Sequence, residues 1–328
     1  MNTPEITTDA LAVMLKAAGD SLRLGILRAL KDNSFGVLEL CQIFAGKQSG
    51  VSHHLKVLSK AGLVAQRREG NAIFYRRALV ADQQADADLL VSLYATIDQL
   101  PLTGDVQDRL NLVLSERAEH AREFFANHAK EFPDHQDLIA HYPQYGEAIG
   151  DLLESIHFPQ LAQAVEIGPG QGEFLARLAP RFEKIYAVDI SSEMLEQSRQ
   201  FALDNGYSHI EFIHGDINTV LEKDLKCDCL VLNMVLHHVP TPAQLFKTAA
   251  KLINPGGALL ITDLCRHNQS WARDNCGDFW LGFDTEELTA WAQSAGLEDG
   301  DRLYLGLKNG FQIQLRRFDQ PVIGIVKK

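Results

Sequence analysis

Between Leu11 and Leu30 the apolar residues fall at helical spacing: Leu11, Met14, Leu15 and Ala18, then Leu22, Ile26, Leu27 and Leu30. Gly19-Asp20-Ser21 interrupts the run, so the pattern predicts two helices. Residues 36–45 predict a third, short helix (Val37, Leu40, Cys41, Phe44), with Gly46 just past its end. Residues 48–60 predict a fourth, with Val51, Leu55 and Leu58 facing inward and Gly62 ending it. From Leu63 to Arg76 the period changes: Val64, Ile73 and Tyr75 are strand formers, and Glu69-Gly70-Asn71 between them reads as a turn. Helix, turn, helix and a two-stranded hairpin make a winged helix-turn-helix, a small α+β unit. Residues 83–99 predict one more amphipathic helix, closed by Pro101. Residues 107–156 are helical in pattern, rich in charge and histidine (His120, His128, His135, His141) and broken at Pro133 and Pro143; they read as a connector.

From Leu161 strands and helices alternate. Strands are expected at 163–167, 184–189, 209–213, 228–233 and 257–263, with helices such as 192–204 and 242–253 between them. That rhythm predicts an α/β unit, a parallel sheet with helices on both faces. Residues 302–307 and 311–317 flank Lys308-Asn309-Gly310, a hairpin turn, so the sheet should end in an antiparallel pair. The expected division is a winged helix-turn-helix at 1–98, a helical connector at 99–155 and the α/β domain at 156–328.

The 328 residues are 46% hydrophobic and 23% charged, which excludes a largely disordered chain, a coiled coil or a collagen-like fibre. No apolar run reaches the roughly 18 residues of a membrane span. Residues 1–10 carry Glu5 and Asp9 and no basic stretch before an apolar core, so a cytoplasmic location is expected, without a membrane partner. The five cysteines (Cys41, Cys227, Cys229, Cys265, Cys276) are scattered and odd in number, which fits reduced thiols. The net charge of −12 hides an asymmetry. Residues 1–80 hold 11 Lys+Arg against 6 Asp+Glu, a net of +5, so the remainder holds 20 against 37, a net of −17. Only the first unit is suited to meet phosphate.

The fourth helix carries Gln48, Ser49, Ser52, His53 and Lys56 on or near its outer face, residue types that suit phosphate oxygens and base edges. The hairpin adds Arg67, Arg68, Asn71, Arg76 and Arg77, a basic wing for backbone or minor groove. His54 reads as a residue packed partly into the helix interface. Leu22-Arg23-Leu24-Gly25-Ile26-Leu27, Val51-Ser52-His53-His54-Leu55-Lys56-Val57-Leu58 with Ala61-Gly62-Leu63-Val64, and Arg67-Arg68-Glu69-Gly70-Asn71 with Phe74-Tyr75 resemble the ArsR family of bacterial repressors over about residues 10–95. The resemblance implies a homodimer on a palindromic double-stranded DNA operator. Many members of that family bind a soft metal through cysteines before the recognition helix. Here Cys41 stands alone, with Ile43 and Gly46 where further thiols would sit, and Asp82, Asp86 and Asp88 have no histidine beside them. No metal is therefore expected, and Cys41 reads as a core residue.

Val165-Glu166-Ile167-Gly168-Pro169-Gly170-Gln171-Gly172 follows a strand and opens a helix, and Asp189 ends the next strand 21 residues after Gly168. An acid there accepts hydrogen bonds from ribose hydroxyls. A dinucleotide loop would want a third glycine where Glu173 stands, and a carboxylate at that helix start repels a pyrophosphate. S-adenosylmethionine carries no phosphate, and Glu166 suits its ammonium group. Asp216 ends the third strand as an acceptor for an adenine amino group, and Asn233 ends the fourth beside the crevice. These residues, with Leu232-Asn233-Met234 and Asn254-Pro255-Gly256-Gly257, resemble the class I S-adenosylmethionine-dependent methyltransferases over about residues 145–318, which implies a Rossmann-like seven-stranded domain. By that resemblance Gly168, Gly170 and Gly172 line the methionine part, Asp189 takes the ribose, Ile190 and Met194 flank the adenine, and Asp216 and Ile217 hold its edge.

No catalytic residue is assigned, because methyl transfer to a good nucleophile needs mainly alignment. His237 and His238 follow the fourth strand and read first as packing or supporting residues, second as a general base. Cys227-x-Cys229 lacks a second ligand pair, and Trp271, Trp280 and Phe283 cover the crevice or pack on the sheet. The combination resembles ArsR-type repressors fused to methyltransferase-like domains, some of which respond to S-adenosylhomocysteine and control methyl-cycle genes. The expected function is a regulator with S-adenosylhomocysteine or S-adenosylmethionine as small-molecule effector. The alternative is an active small-molecule methyltransferase with an autoregulatory DNA-binding domain.

Overall fold

The computed structural model describes residues 6–80, 84–128, 136 and 138–322. Glu5, Asp82, Pro133 and His135 of the sequence reading lie outside them. The chain divides into two compact units, Met1–Ala118 and Glu119–Lys328. Residues 99–118 of the expected connector thus group with the first unit and residues 119–155 with the second.

The first unit begins with α1 (Thr8–Ala18) and α2 (Ser21–Ala29), each started by a side-chain cap. The Thr7 hydroxyl accepts from Ala10 N–H at 3.2 Å and Asp20 Oδ1 from Arg23 N–H at 3.0 Å. There follow β1 (Phe35–Gly36), α3 (Val37–Phe44), α4 (Gln48–Lys60), β2 (Val64–Glu69), β3 (Ala72–Arg77) and α5 (Ala87–Asp98). The three strands form an antiparallel sheet in the order β1-β3-β2. The strand β1 lies where helix was expected to begin. Buried Phe35 pairs with Tyr75 across the sheet, and Gly36 is extended while its N–H donates to Glu39 Oε2 at 2.7 Å. Ile26, Leu27, Leu40, Ile43, Val51, Leu55 and Leu58 form the centre of the core. Helix α6 (Gly104–His128) adds Leu110 and Val113 to it.

In the second unit α7 (Gly146–Ser155) precedes β4 (Gln163–Ile167), α8 (Leu175–Leu178), β5 (Lys184–Asp189), α9 (Ser192–Asp204), β6 (Ile210–His214), α10 (Ile217–Glu222) and β7 (Cys227–Asn233). Then come α11 (Pro242–Leu252), β8 (Ile253–Leu264), α12 (Trp271–Cys276), α13 (Thr285–Ala295), β9 (Glu298–Gly306) and β10 (Gln312–Asp319). The seven-stranded sheet has the order β6-β5-β4-β7-β8-β10-β9. Neighbours from β6 through β8 are parallel, and β10 runs antiparallel to both β8 and β9. The expected doubly wound sheet with a reversed terminal pair is therefore present.

Chain order reverses at β4, which lies between β5 and β7, and an open sheet forms its crevice at the strand C-termini of such a point. The opposite ends of β4 and β7 are tied by Asp228. Its Oδ2 accepts from Ala162 N–H at 2.9 Å and Gln163 N–H at 3.0 Å, and its Oδ1 from Gln160 Nε2 at 3.0 Å and Asn254 Nδ2 at 2.8 Å.

Candidate functional site

Strand β4 delivers Glu166 and then Gly168 to the crevice. Gly168 has φ +66°, and a Cβ there would lie 2.5 Å from Val235 Cγ2, so only glycine fits. Gly170, at φ +57°, has open space around its missing Cβ, where a ligand can approach the backbone. A Cβ on Gly172 would meet Ser198 and Phe201 of α9. The loop is thus shaped by three glycines with distinct surroundings.

Glu166 is 1% exposed. Its Oε1 receives a long hydrogen bond, 3.5 Å, from Asn233 Nδ2, while Oε2 has no hydrogen-bond partner among the described residues. Burial pushes its carboxyl up to about 8, against the opposing pull of Asn233. Asn233 Oδ1 and Thr262 Oγ1 are likewise buried without a hydrogen-bond partner among the described residues, and Asn233 and Thr262 are register partners on β7 and β8. Buried polar atoms are ordinarily satisfied by protein, water or ligand, and these three gather at one end of adjacent strands. Met234, directly after Asn233, is buried with φ +55°, strain of the kind found beside binding sites.

Asp189 ends β5, and its Oδ1 accepts from Ser191 N–H at 2.8 Å. Burial raises its pKa to about 6, opposed by that backbone donor. Ile190 lends its carbonyl to His214 Nε2 at 3.0 Å, and Met194 and Ile217 are buried. Asp216, the expected adenine acceptor, also has a structural role. Its Oδ1 caps α10, accepting from Asn218 N–H at 2.9 Å and Thr219 N–H at 3.2 Å.

Three features escaped the sequence reading. Thr262 is one. Tyr142 is another: burial and the nearby Glu166 carboxylate push its hydroxyl up to about 12, with Arg177 opposing. The third is the company of His237. His237 Nδ1 lies 2.9 Å from Asp263 Oδ1, and its Nε2 is 3.7 Å from Asp278 Oδ1. Burial alone would lower the pKa of His237, but the Asp263 and Asp278 carboxylates outweigh it and carry it to about 9. His238 is held well below its usual range by burial and by His237. Adjacent histidines were visible in the sequence; their partners 26 and 41 residues away were not.

In the first unit Gln48, Ser49, His53 and Lys56 are exposed on α4 and Ser52 is partly so, opposite buried Val51, Leu55 and Leu58. Asn71 is exposed at the hairpin tip and Arg68 on β2. Arg67 departs from the expected outward wing residue: it is 2% exposed and closed on buried Glu69 by a salt bridge. Strand alternation sends Arg67 inward and Arg68 outward. Arg77 is likewise committed, at 2.6 Å from Asp98 Oδ1 and donating to Leu27 O at 2.7 Å. His54 is partly buried, near Arg23 and Asp20.

Comparison with known proteins bears on both units. The family profile described as "Bacterial regulatory protein, arsR family" matches residues 20–66, and one described as "Methyltransferase domain" matches residues 165–261. A Streptomyces fradiae protein, described only as an uncharacterized 37.1 kDa protein in transposon TN4556, is 34% identical over 113 residues, 34% of this chain and 32% of its own. The ubiquinone biosynthesis O-methyltransferase of Xanthomonas axonopodis pv. citri (strain 306) is 24% identical over 153 residues, 43% of this chain. The match spans 64% of that enzyme, so this chain spans less than two thirds of the length of either relative. Among solved structures, a chain of the complex between the Haloferax volcanii Trm112 methyltransferase activator and a methyltransferase superposes with a TM-score of 0.50 at 16% identity. It covers 61% of this chain and 97% of its own, a likeness of fold. No helix of the described residues is long and apolar enough to cross a membrane. The chain therefore joins a segment that matches the arsR family of bacterial regulatory proteins to a methyltransferase-fold domain in one polypeptide.

Proposed function

We propose that this protein is a transcriptional repressor whose methyltransferase-fold domain binds S-adenosylhomocysteine or S-adenosylmethionine as its effector. The observation that carries the reading is the open polar cluster of Glu166, Asn233 and Thr262 beside the glycine loop, one strand from Asp189. A ligand with an ammonium group at one end and ribose hydroxyls at the other answers both: Glu166 takes the ammonium and Asp189 the ribose. Gly168, Gly170 and Gly172 admit the methionine part, Ile190, Met194 and Ile217 supply apolar contact to the base, and Asp216 offers it an edge while capping its helix. No metal is required for this binding.

On DNA, two copies of the chain read a palindromic operator, each placing α4 in the major groove through Gln48, Ser49, Ser52, His53 and Lys56. Arg68 and Asn71 extend the contact along the wing, while Arg67 braces the wing through Glu69. Control of methionine or methyl-cycle genes is the regulatory setting that such an effector implies. The effector acts by binding one DNA-affinity state more tightly than the other, and a hundredfold preference supplies about 2.7 kcal/mol per site.

The test is fluorescence anisotropy of the full chain on its own promoter DNA, titrated with S-adenosylhomocysteine and, in parallel, S-adenosylmethionine. Micromolar ligand shifts DNA affinity in the wild type and not in Asp189→Ala. Ligand binding without any shift contradicts the regulator reading. It then favours the second reading, an active small-molecule methyltransferase with an autoregulatory DNA-binding unit, which the match to an O-methyltransferase supports and which methyl turnover would establish.

A further inference from the structure

We propose that His237, His238 and Asp278 form a site for a divalent transition-metal ion of the zinc class, oriented by Asp263. This inference is independent of the effector reading. The three residues are at most 8% exposed, and one ligand atom from each lies within 4.8 Å of the others. His237 and His238 sit in the short 3-10 turn Leu236–His238 that follows β7, and Asp278 comes from the segment after α12.

The geometry around His237 is that of a ligand prepared by an outer carboxylate. Its Nδ1 meets Asp263 Oδ1 at 2.9 Å, and its backbone N–H donates to Asp263 Oδ2 at 3.3 Å. Asp263 Oδ1 also accepts from Leu264 N–H at 2.7 Å, so the carboxylate itself is fixed. A carboxylate on Nδ1 keeps the proton there, and the metal takes the place of the proton on Nε2. His238 Nδ1 donates to Gly277 O at 3.2 Å, a bond that the ion would replace. From Asp278 Oδ1, His237 Nε2 lies at 3.7 Å and His238 Nδ1 at 3.8 Å. Both separations are too long for hydrogen bonds. They lie near the roughly 3.4 Å that separates two ligands of a tetrahedral ion with bonds of about 2.0–2.2 Å. A small inward movement brings all three donors onto one ion.

Two imidazoles and a carboxylate are a borderline set suited to Zn2+ or Co2+ rather than Mg2+ or Ca2+. Three protein ligands leave a fourth position for water or a ligand oxygen. The ion would tie the segment carrying Asp278 to the end of β7, next to Asn233 and Met234. Nothing in ligand spacing along the sequence announces such a site, because the pair His237-His238 and Asp278 are 40 residues apart.

The test uses the full chain, stripped with chelator, dialysed and titrated with Co2+, followed by visible absorption and by metal analysis after gel filtration. One equivalent of Co2+ is expected per chain, displaced by Zn2+. His237→Ala and Asp278→Asn should each weaken binding by at least about tenfold, and Asp263→Asn by about tenfold as an orienting residue. Cys41→Ala should bind as the wild type does. A wild type that retains no Co2+, or variants that retain it equally, overturns the proposal. If His237→Ala does not fold, thermal melting decides: Zn2+ should raise the melting temperature of the wild type and not of Asp278→Asn. An equal rise in both, or none in the wild type, overturns the proposal.

Discussion

Two buried carboxylates on neighbouring strands are treated in opposite ways. Asp228, at the start of β7, accepts four hydrogen bonds. Glu166, near the end of β4, has one long bond from Asn233 and an open oxygen. Both are 1% exposed, so burial does not distinguish them. The difference lies in which end of the sheet they occupy: one end is finished by the chain itself, and the other carries polar atoms without a hydrogen-bond partner among the described residues. The wing repeats the contrast with cations. Arg67 is closed on Glu69, and its neighbour Arg68 faces solvent.

The comparison is broken most severely at its closed members. Asp228→Ala would leave backbone and amide donors unsatisfied in the interior and cost about 3 kcal/mol or more. Thermal or denaturant unfolding reads the loss, and ligand affinity per folded molecule should not change. Arg67→Ala would leave Glu69 buried without its guanidinium, again about 3 kcal/mol. The first unit should melt earlier, with the salt dependence of DNA binding retained.

Open members should affect binding before stability. Asp189→Ala should weaken S-adenosylhomocysteine binding about a hundredfold, roughly 2.7 kcal/mol, by calorimetry, with DNA affinity in the absence of ligand unchanged. Glu166 has a pH signature. Its folded pKa of about 8 exceeds the ordinary 4.5, so the folded state holds the proton longer. Its penalty on stability is absent below about 4.5 and grows as pH rises to about 8. Pairing with an ammonium needs the ionised form, so ligand affinity should rise with pH up to about 8, by at most about tenfold per unit. Glu166→Gln should flatten both slopes. The smallest effect is at Arg68: Arg68→Ala should weaken DNA binding severalfold and reduce the salt slope by about one.

Most of this arrangement was legible where local pattern and final geometry coincide. The glycine loop, Asp189 at a strand end and the inward face Val51-Leu55-Leu58 are each set by neighbours close in sequence. Arg67 was misread because basic composition outweighed the strict alternation of a strand, which sends adjacent residues to opposite faces. The capping role of Asp216 was also visible in principle, since an acid just before a helix satisfies its first N–H groups. Thr262, Tyr142 and the pairing of His237 with Asp263 and Asp278 were not legible. Each depends on which strands and loops become neighbours, and no short spacing encodes that. The strand β1 arose similarly, from Phe35 finding Tyr75 across 40 residues.

The central claim is that ligand in the methyltransferase-fold domain governs DNA affinity. Linkage makes the coupling reciprocal, so it is read most directly from the ligand side. The dissociation constant of S-adenosylhomocysteine is measured by calorimetry on the free chain and on the chain saturated with its promoter DNA. The account predicts different values, with a ratio equal to the change in DNA affinity that the ligand produces. Equal values on free and DNA-bound protein would contradict it.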